Sequence, residues 1–526
     1  MTKRTIKNNQ EGIYQVGLNR KSEAVISAHF MHDINQNANF HLYSAQEFSK
    51  KTLSVSSKLI LERLLPLLME ASDKFVLERV SAAKTRLKKN YKKYGINTPQ
   101  DIGLAEKLTE VMFDRQFLKG SKSNVSRLIL VNKIKELVAK QKPIKMIIPA
   151  LPYKSSSPLK SRGSMPDLSE ISFLLGLVEI AKTIDFIYRQ EVAVPDQCMA
   201  SFTIICDGRR FNSFLNEADE TIQHYQDYLN WWIKKLGLIN YLEIMDYQYV
   251  ISNYLPQKMQ LEKAAIRENV RAFYSNLMLP LLNPYDMVET MNQAIKSDPE
   301  PETSNPEGRY IPLFKSLMYI VNYKELAHYA CLYGKNYVDL YSELTRNLFE
   351  PYTKLTDNDL FQIELFLAKN QSESTPTPLK LLEYLRQSML NEAWVATINY
   401  LAEIRSDRDL LLEPISVCFP DHIRWTIHAK PGQLAVLTNT ALGDPIQPWH
   451  GVSVFMRTKH NKIKLYTLPV LLLEGNNATP VTVEDKENEL GLNEQPLFYV
   501  YPDIKFTDIN DLFGQIKQGL IRKRKH

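Results

Sequence analysis

The clearest hydrophobic rhythm lies in "SKLILERLLPLLMEASDKFVLERV" (Ser57–Val80), where apolar residues recur at spacings of three and four. That period predicts an amphipathic helix from about Ser54 to Tyr94, with Pro66 breaking or kinking it. The stretch ends in "KTRLKKNYKKYG", a basic helix end closed by Gly95. Cations near a helix C-terminus read first as a solvated face and second as a nucleic-acid patch. "PIKMIIPA" (Pro143–Ala150) is short, apolar and bounded by prolines, so it reads as a buried strand. A helix is predicted from Asp167 to Arg189, and "CMASFTIICDG" (Cys198–Gly208) reads as a second buried strand. Strand, helix and strand in this order make a βαβ unit with parallel strands. Helices dominate the pattern from Asp219 to Ala294. "KSDPEPETSNPEGR" (Lys296–Arg309) and "NQSESTPTP" (Asn370–Pro378) read as loops, with helical patterns between and after them up to Leu411. Beyond these, "HIRWTIHAK", "QLAVLT", "HGVSVFMR" and "NKIKLYTL" alternate at hairpin-like spacing and predict an antiparallel sheet.

The fold expected is therefore α/β. A central mixed sheet carries the parallel βαβ unit flanked by helices, with antiparallel strands toward the C-terminus and a helical N-terminal extension. The domain division expected is residues 1–124 for that extension, 125–470 for the α/β domain and 471–526 for a C-terminal extension. Residues 1–50 are Asn/Gln-rich and read as irregular.

Composition narrows the function classes. Hydrophobic residues make up 44% and charged residues 24%, which suits a globular chain with a sizeable core. The net charge of +6 over 526 residues is too mild to argue for nucleic acid, but suits a phosphorylated small substrate. The cysteines Cys198, Cys206, Cys331 and Cys418 form no C-x-x-C pair, so neither a zinc nor a redox motif is signalled. Reduced thiols, a polar N-terminus and the absence of a run of about 18 apolar residues predict a cytoplasmic protein without a membrane span. His29 and His32 in "AHFMHD" lack the Glu of a zincin motif, so no metal is expected. P-loop, G-x-G-x-x-G and G-x-S-x-G motifs do not occur.

Candidate chemistry gathers where the predicted strands end, because ligands of open α/β sheets sit outside the carboxyl ends of the strands. The loop after the first strand carries Lys154, Ser155, Ser156, Ser157, Lys160 and Arg162. Hydroxyls and cations suit a phosphate, and a solvated connection is the plain alternative. Asp167 and Glu170 form a D-x-x-E helix start, which as a capping box ties up backbone N–H groups whether or not it does chemistry. The second strand brings Asp207, Arg209 and Arg210 to the same edge. In "IRWTIHAK" the alternation puts Arg424, Thr426, His428 and Lys430 on one face, either open to solvent or lining a pocket with His428 moving protons. His450 in "PWHGV" precedes another strand.

Taken in order, these segments resemble the isocyanide (isonitrile) synthase family, the PvcA-like proteins, which include a fungal enzyme of spore-wall dityrosine-precursor synthesis. The family pattern Pro-Ala-Phe-Pro-Phe-Lys-Ser is here "PALPYKS" (Pro149–Ser155), and its Pro-Asp-Leu-x-Glu is "MPDLSE" (Met165–Glu170). Ser-Asp-Gly-x-x-Phe is "CDGRRF" (Cys206–Phe211), followed by Asp219 and Tyr225. "LYGKNYVDLYSELTRNL" (Leu332–Leu348), "IRWTIH" (Ile423–His428) and "PWH" (Pro448–His450) complete the series. Tyr153, Trp425, Thr426 and Ala429 depart from the usual Phe, Leu, Ser and Pro.

The resemblance implies condensation of the α-amine of an aromatic amino acid, Tyr or Trp, with the ketone of ribulose 5-phosphate. The sugar's carbonyl carbon becomes the isonitrile carbon. It implies no metal or redox cofactor, and an iron/2-oxoglutarate oxygenase as a possible downstream partner. Within it, Lys154, Asp167, Glu170 and His428 are the expected proton-transfer set. Lys160, Arg209 and Arg210 are expected to hold the phosphate, with Ser155 and Asp207 beside them. Arg424 and His450 are expected to position the carboxylate or the sugar hydroxyls. Synthesis of an N-formyl amino acid, or a non-catalytic binding protein that keeps the pocket, are the alternatives.

Overall fold

A polar or aromatic residue at every second or third place is not what positions the site; a block of continuous apolar sequence is. The strand Ile144–Pro149 and the helix Leu168–Glu191 bury about two thirds of their residues. The computed structural model describes residues 5–8, 12–15, 52–119, 125–154, 160–161, 163–193, 197–215, 217–277, 317, 378–427, 433–438, 446–458, 462–470, 473, 476–484 and 495–521. The chain divides into two units, one of residues 1–48, 211–217 and 256–413, the other of residues 49–210, 218–255 and 414–526.

In chain order, the strands β1 (Thr5–Asn8) and β2 (Gly12–Gln15) form an antiparallel pair where irregular chain was expected. β3 (Leu53–Ser56) comes next, four residues of strand at the start of the predicted helix. A π-helical turn at Ile60–Leu64 leads into α1 (Leu65–Asn90). Pro66 therefore does not break the helix. Its missing N–H and bulky ring fall at the first turn of α1, beside the widened π turn, where an intrahelical bond is most easily lost. The basic end closes as expected at Gly95, whose φ of 70° is left-handed and whose N–H bonds to the Lys92 carbonyl. α2 (Leu104–Met112) and α3 (Arg127–Ala139) follow. Then come β4 (Ile144–Pro149), α4 (Leu168–Glu191) and β5 (Ala200–Cys206), the expected βαβ unit, with β4 and β5 parallel from Ile144↔Ala200 to Pro149↔Ile205.

α5 (Gly208–Leu215) and α6 (Asp219–Lys235) precede β6 (Leu242–Asp246), a strand inside the stretch read as helical. α7 (Tyr247–Tyr254), α8 (Gln257–Leu277), α9 (Pro378–Arg408) and α10 (Pro414–Cys418) complete the helices before the last strands. β7 (Ile423–Thr426) and β8 (Leu434–Ala435) join the first sheet, whose order is β6-β5-β4-β7-β8 and whose pairings are all parallel. This corrects the antiparallel reading of "IRWT" and "QLA". Hairpin-like spacing cannot reveal that β7 pairs with β4, far back in the chain, and on the polar face Thr426 is buried while Arg424 is half-buried. The remaining strands, β9 (Val452–Arg457), β10 (Ile463–Leu468), β11 (Thr479–Glu484) and β12 (Pro496–Val500), build a mixed sheet of order β10-β9-β12-β11-β3. Its β9/β10 pair is the antiparallel hairpin expected. α11 (Ile509–Ile521) follows.

α4 explains the layering of this larger unit. Sixteen of its residues, from Leu168 to Tyr188, are buried. A helix with so wide a buried face must be covered on several sides, and α4 touches β5 of the parallel sheet, β9 and β10 of the mixed sheet, and α1 and α2. In the smaller unit α8 packs on α9, joined by Lys263 to Glu403 at 3.2 Å and to Asp407 at 2.7 Å. Among the described residues no helix is long and apolar enough to cross a membrane. Cys198, Cys206 and Cys418 are free thiols. His29, His32, Cys331, the two expected loops except Pro378, which begins α9, and the segment Leu332–Leu348 lie outside the described residues.

Candidate active site

The strand order reverses at β4. From it the chain runs to β5 and β6 on one side, and later returns with β7 and β8 on the other. Such a reversal opens a crevice outside the carboxyl ends of the strands, and "ALPYK" enters it. Leu151, wholly buried, has a φ of 56°. A branched residue in that region is held there only by its surroundings. Three residues on, Lys154 is 1% exposed. Its Nζ lies 2.8 Å from Asp167 Oδ2 and 2.9 Å from Glu170 Oε2, both equally buried.

The two carboxylates also cap α4. The Ser169 N–H donates to Asp167 Oδ1 at 2.6 Å and the Asp167 N–H donates to Glu170 Oε2 at 3.0 Å, a complete capping box. Capping and ion pairing are thus both present. The Tyr225 hydroxyl donates to Glu170 Oε1 at 3.4 Å from α6. One ammonium cannot neutralise two buried carboxylates, so the cluster favours keeping a proton. Burial raises the Glu170 pKa to about 8, with Lys154 opposing and Asp167 adding to the rise. Burial works against the charge on Lys154, but Asp167 and Glu170 outweigh it and hold its pKa above the ordinary lysine value. Tyr225 is pushed well up by burial and then by Glu170.

β5 delivers its loop to the same edge. A Cβ on Gly208 would lie 2.1 Å from the Pro152 carbonyl oxygen, so only glycine lets the two loops approach this closely. The arginines that follow face the β6 end of the sheet. Arg209 lies 3.7 Å from Asp246 and donates to Gln223, while Arg210 stacks over the Tyr247 ring at 4.7 Å. Burial, then Asp207 and Asp246, push the Cys206 thiol well up. Arg424 stands opposite Ile147 on the other side of β4 and donates to the Trp425 carbonyl. Lys160 is tied through its carbonyl to the Val470 N–H at 3.1 Å. His450 is exposed at the end of a short 3₁₀ turn. That turn packs on α4 through Trp449, whose ring meets Phe173 edge-on at 6.0 Å.

Of the residues singled out in the sequence, direct contact joins Lys154, Asp167, Glu170 and Tyr225. The Gly208 approach sets Asp207 at the same end of the sheet, and Arg209, Arg210, Arg424, Lys160 and His450 have the separate neighbours just given. Ser155 and His428 lie outside the described residues. Asp246, at the end of a strand the sequence pattern does not reveal, and Gln495 carry no signal in the sequence. Among the described residues no group of three His, Cys, Asp or Glu side chains is placed to hold a metal ion.

Comparison with known proteins covers the segments that hold Lys154, Asp167, Glu170 and Asp207. The profile of the Pyoverdine/dityrosine biosynthesis protein family matches residues 134–304. An L-tyrosine isonitrile synthase of Xenorhabdus nematophila is 35% identical over 95 residues, which span 18% of this chain and 26% of that protein. An L-tryptophan isonitrile synthase of Fischerella ambigua is 34% identical over 94 residues, spanning 18% of this chain and 27% of its own. The matched stretches thus cover well under two thirds of these relatives. The crystal structure of PvcA from Pseudomonas aeruginosa superposes with a TM-score of 0.44 at 16% identity, covering 76% of this chain and 100% of that one. Over residues 134–304 the chain is similar to the Pyoverdine/dityrosine biosynthesis protein family, and shorter stretches of it are similar to L-tyrosine and L-tryptophan isonitrile synthases.

Proposed function

We propose that this protein is a cytoplasmic isonitrile synthase of secondary metabolism. It joins the α-amine of an aromatic L-amino acid to the carbonyl carbon of ribulose 5-phosphate with loss of water, and the remaining sugar fragments then leave by carbon–carbon cleavage, without a metal or redox cofactor. The observation that carries this reading is the buried Lys154–Asp167–Glu170 cluster at the carboxyl end of β4, backed by Tyr225. Condensation of an amine with a ketone needs a proton taken from the ammonium, a proton given to the departing water, and a base for the later carbon–carbon cleavage. A carboxyl held near pH 8 exists in both forms around neutrality and suits such shuttling. Lys154 pairs with Asp167 at 2.8 Å, and His428 completes the proton-transfer set. Lys160, Arg209 and Arg210, with Ser155 and Asp207, bind the phosphate and sugar hydroxyls, and Arg424 and His450 orient the amino-acid carboxylate. The relatives' names, tyrosine and tryptophan isonitrile synthases, support an aromatic substrate. The product is a fitting substrate for an iron/2-oxoglutarate oxygenase acting next.

The test incubates the purified protein with ribulose 5-phosphate and each aromatic amino acid, followed by mass spectrometry. An isonitrile whose new carbon carries label from the sugar's carbonyl carbon is expected. An N-formyl product would transfer the same site to the second reading, which the family's dityrosine description favours. No product with any amino acid would leave a binding protein.

A further inference from the structure

The loop between β4 and α4 is held from outside by the mixed sheet, and one side chain holds it at two points. Gln495, 8% exposed, accepts from the Met165 N–H at 3.1 Å and donates to the Met165 carbonyl at 2.9 Å. Its amide thus pairs with one residue's backbone as a neighbouring strand would. Gly163 makes room for it, since a Cβ there would lie 1.8 Å from Gln495 Oε1. Two further ties run in parallel: Val470 N–H to the Lys160 carbonyl, and Thr467 Oγ1 to Ser169 Oγ at 3.0 Å.

Gln495 immediately precedes β12, which lies between β9 and β11 and is buried along its whole length. The clamp therefore stands on the centre of its sheet. Beyond Met165 the chain has one residue, Pro166, with a locked φ, before Asp167 begins the capping box on Lys154.

We propose that Gln495 is a positioning residue of this site. By holding the Met165 backbone it sets the approach of Asp167 and Glu170 to Lys154. Its part in turnover rests on the isonitrile synthase reading; its part in geometry does not. Gln495 lies beyond residues 134–304, so the mixed sheet contributes to the site from outside the family-matched segment.

The experiment compares the full-length chain with Gln495→Met, which fills the space without hydrogen bonds, and Gly163→Ala, which displaces the clamp by contact. Hydrogen–deuterium exchange of the peptide spanning residues 163–170 should quicken in both, with β12 and the rest of α4 unchanged. In the product assay kcat should fall by about tenfold to a hundredfold, the range for a misplaced catalytic group, with KM for both substrates little altered. Unchanged exchange at 163–170 would overturn the proposal. Exchange that quickens across β11, β12 and α4 alike would also overturn it, because Gln495 would then be a general stabiliser. Quickened local exchange with an unaltered kcat would remove the link to turnover. If the wild-type chain makes no isonitrile, that reading fails by itself, and the exchange measurement still decides the clamp.

Discussion

A single lysine organises the residue scale. Lys154 is the one cation within reach of Asp167 and Glu170 among the described contacts, so Lys154→Met leaves two buried carboxylates without it. Removing one partner of a buried pair costs about 3–5 kcal/mol, which urea unfolding will measure. The double variant Lys154→Met/Glu170→Gln should lose less, since only one carboxylate is stranded. Glu170 also makes stability depend on pH. Its folded pKa of about 8 exceeds its ordinary 4.5, so between these values the folded state binds more protons than the unfolded. Stability from this group is present below 4.5 and is lost as pH rises toward 8. Glu179, on the same helix, is raised to about 8 by burial and acts in the same direction. The difference between wild type and Glu170→Gln isolates Glu170, and the variant's stability should decline less with pH. D-x-x-E was legible in the sequence as a cap. That its two carboxylates share a lysine was not, because Lys154 reaches them only through the fold of the intervening loop.

At the scale of elements, the βαβ unit followed directly from period and length, since β4 and β5 are short apolar runs and α4 is a long helical pattern between them. β6 was hidden because "LEIMD" is flanked by helices and its outward residues are polar. β7 was misplaced because alternation reports burial on two faces without saying which neighbour supplies it. The meeting of the β4 and β5 loops rests on Gly208. Gly208→Ala puts a methyl against the Pro152 carbonyl, a backbone atom that cannot swing aside. Overpacking of this kind costs about 1–3 kcal/mol. Melting should fall accordingly, and turnover should fall further than stability, as the loop carrying Lys154 is pushed out. Activity equal to wild type would show that the two loops need not touch.

For the whole molecule, β3, near the start of the larger unit, pairs in parallel with β11, near its end, at Val481↔Leu53 to Glu484↔Ser56. A fragment of residues 125–470 keeps β9 and β10 but loses β3, β11 and β12, which include the centre of the mixed sheet and Gln495. It should be insoluble or lack cooperative unfolding, and a sharp melt of that fragment would refute this. The sequence by itself determined the parallel βαβ core, the capping box and the family resemblance, because each is written in contiguous residues whose spacing has a local physical cause. The tertiary structure alone decided that β7 lies parallel to β4, that Lys154 and Tyr225 meet Glu170, and that Gln495 holds the loop before α4. Those are pairings between distant segments, set by burial of α4 between two sheets, and no local period encodes which buried surfaces will meet.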